Sequence, residues 1–218
     1  MPLPHPSSLR HWNSTVNVEP GFLSQVLEKL QQVPDEDKDC AFIFDGMAIR
    51  QQLIWSKADH KCVGYCDYGN NFNFDENETE AKETLVFMVV NLKGKWKWPI
   101  AYFLKNRLSS TTLAELIKTA LILTSNIKLR IRSITCDGES VNVGALNCLG
   151  CNLFPSNHQD IINFFIHPIY NYKVYVILDV CHMLKLTRNA LADYGEFYYG
   201  GEVIKWDYIV SVYKIQEN

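Results

Sequence analysis

The chain has 218 residues, enough to bury a full core, and at about 100 to 200 residues per domain this predicts one domain plus part of another. Its formal net charge of −3 gives no general attraction for nucleic acid, so any DNA contact has to come from local basic patches. No charged-then-apolar leader opens the sequence and no run reaches the roughly 18 apolar residues of a membrane span, which predicts a soluble, non-secreted protein with no membrane partner.

In chain order, residues 1 to about 19 are rich in proline, serine and asparagine and read as a linker. Gly21 leads into Phe22-Leu-x-x-Val-Leu-x-x-Leu30, whose apolar spacing is helical, and Pro34 stops it. Cys40-Ala-Phe-Ile-Phe-Asp45-Gly46 is an apolar run closed by an aspartate, and Phe42 to Asp45 read as a buried strand. A second strand is predicted over Ile49 to Trp55 or just after, with Cys62 to Asp67 as its return, before an acidic loop from Asn70 to Glu83. Thr84 to Leu92 is a β-branched strand, and Trp98 to Leu104 its hairpin partner, with Pro99 at a strand start or edge.

Ser110-Thr-Thr-Leu-Ala-Glu115 supplies a helix cap, and Leu113, Leu116, Ile117, Ala120, Leu121 and Leu123 recur at helical spacing. Ile131-Arg-Ser-Ile-Thr-Cys-Asp137-Gly138 repeats the form of the first aspartate run, and a helix is predicted from Ser140 to Leu149. A loop containing Pro155 and Pro168 leads to a third such run, Tyr172 to Leu178, ending in Asp179. Asp179 opens the series Asp179-x-x-His182-x-x-Lys185-x-x-Arg188-Asn189, whose spacing lines up polar groups along one side of a helix.

The seven cysteines form an odd set, and Cys40, Cys136 and Cys181 read as buried, reduced thiols of a nuclear or cytosolic protein. Cys148-x-x-Cys151 and Cys62-x-x-x-Cys66 each offer half a zinc site, but His158 and His167 complete neither, so no zinc is predicted. Lysine and arginine gather in Lys93-Gly-Lys-Trp-Lys-Trp98, in Lys128-Leu-Arg-Ile-Arg132 and in Lys185-x-x-Arg188. Tryptophan between lysines is either a stacking, phosphate-binding surface or a solvated turn whose rings belong to the core.

A carboxylate after an apolar strand sits where open α/β sheets place their ligands. For Asp45 and Asp137 this leaves two readings: each hydrogen-bonds its own Asp-Gly turn, or the two converge on metal ions that activate one oxygen and stabilise another in phosphodiester chemistry.

Five stretches taken together, Leu3-Pro-x-Pro-Ser-Ser-Leu-Arg-x-Trp12, Phe44-Asp-Gly-Met-x-Ile-Arg50, Gly64-Tyr-x-Asp-Tyr-Gly69, Thr135-Cys-Asp-Gly-x-Ser-x-Asn142 and the Asp179 to Asn189 series, resemble the P-element-type DNA transposases. That family includes members with a zinc-dependent THAP DNA-binding domain; no such module is seen in this sequence. The resemblance implies an α/β fold, an RNase H-like mixed sheet flanked by helices and incomplete at the C-terminus. In it a three-stranded meander begins with the Asp45 strand, a helix crosses over, and the Asp137 and Asp179 strands run parallel to the first, bringing the three aspartates to one sheet edge. It also implies a division into a linker and short helix (1–34), the N-terminal portion of the RNase H-like domain (35–190) and the truncated start of a GTP-binding insertion (191–218).

In function, the resemblance implies metal-assisted DNA cleavage and strand transfer, in the nucleus, on transposon ends and target DNA. Asp45 and Asp137 match the family's first- and fourth-strand catalytic aspartates and would hold Mg²⁺ or Mn²⁺. The family's third acid is a glutamate beyond the insertion; Glu139 and Asp179 do not correspond to it, so the chain alone is expected to be inactive and to self-associate. GTP is bound by the family's insertion domain, but no Gly-x-x-x-x-Gly-Lys loop occurs here and this chain alone is not expected to bind it. Asp179, His182, Lys185, Arg188 and Asn189 form either a DNA-phosphate or domain-junction surface, or a polar helix start whose Met183, Leu184, Leu186 and Ala190 pack on the sheet. Two alternatives stand beside this reading: a domesticated or degenerate DNA- or protein-binding module, and a small metal-dependent nuclease using Asp45, Asp137 and Asp179.

Overall fold

The computed structural model describes residues 19–57, 60–69 and 79–216 and divides into two compact units, Met1–Ile177 and Leu178–Asn218. The predicted linker and most of the Asn70 to Glu83 loop lie outside the described residues. The first unit is built on a seven-stranded mixed sheet, taken here in chain order. A two-residue strand β1 (Gly21–Phe22) and helix α1 (Ser24–Gln31) precede β2 (Asp39–Ala48). A separate hairpin of β3 (Ile54–Ser56) and β4 (Lys61–Val63) follows, then β5 (Glu83–Asn91) and β6 (Lys97–Lys105). Helix α2 (Ser110–Asn126) crosses over to β7 (Arg130–Cys136), and α3 (Ser140–Cys148), β8 (Phe164–Ile166) and β9 (Lys173–Leu178) complete the sheet.

The strand order is β1-β6-β5-β2-β7-β9-β8. β2 pairs antiparallel with β5 and β5 with β6, while β2 and β7 run parallel, which requires the α2 crossover between them. Alternation along the strands explains where the core lies. Phe42, Phe44, Phe87 and Phe103 all point to one face and are fully buried, and successive rings meet edge-on, Phe42 to Phe87 at 5.0 Å and Phe87 to Phe103 at 5.2 Å. Truncating Phe87 to alanine would cost about 3–5 kcal/mol. The opposite face carries Ile43, Val86, Met88 and Val90, each only partly covered, and on β9 the exposed Tyr175 and Ile177.

Several predicted elements change on inspection. Helix α1 starts at Ser24 rather than Phe22, because Gly21 and Phe22 pair with Tyr102 and Ala101 of β6. The Ile49 to Trp55 strand shrinks to Ile54–Ser56 and joins the small hairpin rather than the main sheet. Gly64 ends that hairpin at φ 114°, where a Cβ would lie 2.2 Å from the Gln52 carbonyl oxygen, so the tight return excludes any side chain. β8 forms where a loop was predicted; three residues between turns carry too little periodicity to announce a strand.

Helix α2 forms over the predicted stretch, but its cap lies one residue before the Ser110 to Glu115 segment that was expected to supply it. Its cap is Ser109, whose hydroxyl accepts from the Thr112 amide at 3.0 Å, and Leu113, Leu116, Ile117, Ala120 and Leu121 form its buried stripe. α2 and α3 are in close contact at Gly144, where a Cβ would meet the Ser110 Oγ at 2.4 Å and its Cβ at 2.9 Å.

The second unit comprises α4 (Val180–Tyr194), the hairpin β10 (Glu196–Tyr199) and β11 (Glu202–Lys205), and α5 (Trp206–Gln216). Among its described residues only Leu191 is a buried apolar residue. Leu184 and Leu186 on α4 are 69% and 44% exposed. Cys181 is likewise exposed rather than buried, because it occupies the first turn of α4 and not a strand.

Candidate metal-binding and catalytic site

The parallel pairing of β2 and β7 fixes the site. Its last matched positions are Ile43 and Thr135, so Asp45 and Asp137, each two residues further on, stand at the same level and project from the same face. Adjacent strands lie about 4.8 Å apart, which puts the two carboxylates within reach of a shared cation. Asp45 does not end its strand, as the sequence suggested: β2 continues to Ala48 on the hydrogen bonds of β5, while β7 stops at Cys136. Both carboxylates therefore lie just past the last parallel pair of β2 and β7. One residue before Asp137 on β7 is the buried Cys136, whose thiol is pushed up to about 12 by burial first and then by the negative charges of Asp137 and Asp45.

Each carboxylate is anchored by one oxygen. Asp45 Oδ1 accepts from the Gly46 amide at 2.8 Å, and Asp137 Oδ1 accepts from the Glu139 amide at 3.0 Å and the Asn142 side-chain amide at 2.5 Å. Among the described residues neither carboxylate pairs with a lysine or arginine, and neither Oδ2 takes a hydrogen bond. Two hard oxygen donors without a protein counter-ion fit Mg²⁺ or Mn²⁺, which bind through one or two carboxylates and complete their shell with water and phosphate oxygens. No group of three or more His, Cys, Asp or Glu with metal-binding geometry occurs among the described residues.

The other predicted site residues fall in the second unit. Asp179 caps α4, its Oδ1 accepting from the Cys181 and His182 amides at 2.9 and 3.4 Å. Lys185 and Arg188 are exposed on that helix, and the Arg188 guanidinium donates to Asn189 Oδ1 at 2.5 Å. Of the remaining basic clusters, Lys93 and Lys95 bind Asp37, and Arg130 and Arg132 bind Asp39. The two tryptophans between the lysines divide, Trp96 half-buried and Trp98 exposed. Sequence reasoning gives Asn142 no role of its own; its position five residues after Asp137, in the first turn of α3, is the signal that could have found it.

The family described as "TNP-like, RNase H N-terminal domain" matches residues 18–150, more than half of the chain. The chain belongs to this TNP-like RNase H family. Residues 181–218 of this TNP-like chain match a second description, "TNP-like, GTP-binding insertion domain". The chain is similar to the DNA transposase THAP9 of Homo sapiens, at 29% identity over 99% of this chain and 24% of that protein. It is also similar to the Transposable element P transposase of Drosophila melanogaster, at 25% identity over 89% of this chain and 23% of that protein. It therefore spans about a quarter of the length of these relatives.

Among solved structures, the "Drosophila P element transposase strand transfer complex" matches with a TM-score of 0.71 at 21% identity, covering 98% of this chain and 43% of that one. That likeness establishes the fold: the mixed sheet flanked by helices is RNase H-like, and the P-element-type resemblance read from the motifs holds.

Proposed function

We propose that this TNP-like chain supplies two of the metal-binding carboxylates, Asp45 and Asp137, of a transposase core that cuts and joins DNA in the nucleus, and that it does not catalyse the reaction by itself. The observation that carries this reading is the register match of two carboxylates on adjacent parallel strands, with no lysine or arginine paired to either among the described residues. Mg²⁺ or Mn²⁺ bound there would supply an activated oxygen nucleophile and stabilise the departing oxygen. The chain's own part is positional. The Gly46 amide holds one oxygen of Asp45, the Glu139 amide and Asn142 hold one oxygen of Asp137, and the remaining oxygens take no hydrogen bond among the described residues.

Two carboxylates leave most of an octahedral shell to be filled by water, DNA phosphate and a third acid. The third acid is assigned, by the P-element-type resemblance, to a glutamate outside this chain. DNA as the partner is supported by the relatives' names, a DNA transposase and a transposase strand transfer complex. The half-covered second face of the sheet and the coreless Leu178–Asn218 unit support self-association of the chain when it is isolated.

The test has two parts. Mn²⁺ titration followed by water-proton relaxation should show weak binding that disappears in the Asp45→Asn/Asp137→Asn double variant; equal binding by that variant removes the site. In a DNA cleavage assay with Mg²⁺ the 218-residue chain should be inactive. Cleavage by the unaltered chain, lost on Asp179→Asn, would make Asp179 the third carboxylate and replace this reading with a small nuclease.

A further inference from the structure

Asn142 stands out among the polar residues near the two aspartates because it is buried yet spends its side-chain amide on a carboxylate. Only 8% of it is exposed, and its Nδ2 donates to Asp137 Oδ1 at 2.5 Å. The assignment of the amide is not open to reversal: an ionised carboxylate can only accept, so the nitrogen must face it. The same oxygen takes the Glu139 amide at 3.0 Å. Two donors on one oxygen fix the rotation of the carboxyl group and leave Oδ2 without a hydrogen bond among the described residues.

The donor itself is held firmly. Asn142 lies in the first turn of α3, and that turn is tied to the start of α2 by the Ser110 hydroxyl, which donates to the Val141 carbonyl at 3.1 Å. One turn on, Gly144 lets the two helices approach so closely that a Cβ would meet Ser110. The crossover helix, α3 and the Asp137 loop thus form a chain of fixed contacts ending at one carboxylate oxygen.

We propose that Asn142 is a positioning residue that presents Asp137 to a divalent cation through Oδ2 alone. This rests on the two-carboxylate reading above and adds to it the device that sets the binding mode of one ligand. Among the described residues Asp45 has no such side-chain donor, its Oδ1 taking only the Gly46 amide, so the two aspartates are unequal ligands and Asp137 is the pre-set one. Groups that orient a metal ligand generally change affinity about 10- to 100-fold when removed.

The experiment is a double-mutant cycle on the full chain, read by Mn²⁺ affinity from water-proton relaxation, with thermal melts to check folding. Asn142→Leu keeps the volume and removes the donor; Asn142→Ala serves if the leucine variant melts early. Either should weaken Mn²⁺ on the order of tenfold in the unaltered background. Either should change it less than about twofold in an Asp137→Asn background, where the ligand it orients is already lost. Unchanged affinity in Asn142→Leu overturns the proposal, and so does an equal loss in both backgrounds, which would mark a general structural role. Failure of the underlying reading looks different: Mn²⁺ affinity then survives the Asp45→Asn/Asp137→Asn change, or the unaltered chain takes up no Mn²⁺, and both ideas fall.

Discussion

Strand β2 carries aspartates toward both ends, and they have opposite fates. At its start Asp39 receives Arg130 Nε and Nη2 at 3.1 and 2.9 Å and Arg132 Nε at 2.6 Å. The Arg130 hydrogen bonds first, and Arg132 after them, hold its carboxyl down at about 2 against the opposing cost of burial. Next to it Asp37 takes Lys95 at 2.8 Å and Lys93 at 3.2 Å. Toward the other end Asp45 and its neighbour Asp137 meet no lysine or arginine among the described residues. The same residue type, on the same pair of strands, is neutralised from within the fold at one end and has no ion-pair partner among the described residues at the other.

The largest effect expected from this contrast separates the two ends by one measurement. Asp45→Asn/Asp137→Asn should weaken Mn²⁺ binding by at least about tenfold. Asparagine keeps the Oδ1 acceptor that the Gly46, Glu139 and Asn142 donors use, so the melt should change little. Asp39→Asn should leave Mn²⁺ affinity alone. If Asp39→Asn weakened Mn²⁺ as much, the division between a structural and a cation-binding end would be wrong.

The next effect concerns the helix contact behind Asp137. Gly144→Ala forces a methyl against Ser110 and should cost about 1–3 kcal/mol in chemical denaturation. Ser110→Gly in the same chain removes both clashing atoms and should recover part of that loss. A Gly144→Ala chain as stable as the original would mean that α2 and α3 can separate without cost.

At the ion-paired end, Asp39→Asn should lower stability by about 1 kcal/mol, since the group is partly solvent-exposed and screened. The pH sign follows from the depressed carboxyl. Its contribution is complete above the ordinary value of 3.8 and is lost as pH falls toward about 2. Urea midpoints compared between pH 5 and pH 2 should therefore fall less in Asp39→Asn than in the unaltered chain. An equal fall in both would show that the arginines do not hold Asp39 in its ionised form.

The sequence showed one end of this comparison and hid the other. Asp45 and Asp137 could be picked out because each interrupts an apolar run before a glycine, a local signal. The ion pairs of Asp39 could not, because Arg130 and Arg132 come from a strand far along the chain and meet it only through the parallel pairing. For the same reason the basic clusters at 93–98 and 128–132 left a nucleic-acid surface open as one of two readings, although Lys93, Lys95 and Arg132 are all engaged with aspartates. Helix α2 was legible from its long periodic stripe, whereas β8 and the β3–β4 hairpin were too short for any period to register. Asn142 belongs to a third kind: its type and position were visible, but its bond to Asp137 depends on where the chain turns after β7.

The smallest expected effect also belongs to the ion-paired end, where Arg132 lies 4.8 Å over the Tyr172 ring and that ring lies 4.9 Å from His167. His167 is buried, and its Nδ1 accepts from the Ile169 and Tyr170 amides at 3.1 and 3.3 Å, so the neutral ring carries its proton on Nε2. Protonating Nδ1 would break both bonds, and burial already lowers the folded value of His167 below its ordinary 6.5. Below 6.5 the unfolded chain therefore binds this proton more readily than the folded one, and stability falls with pH until the lowered folded value is passed. His167→Asn offers an amide oxygen near the position of Nδ1 and does not titrate, so it should flatten the decline in urea midpoint between pH 7 and about pH 5. One proton over a narrow interval makes this a small difference, confined to the end of the sheet opposite the carboxylate pair. An identical decline in the variant would show that His167 takes no part in it, and Mn²⁺ binding at Asp45 and Asp137 should be the same in both chains at pH 7.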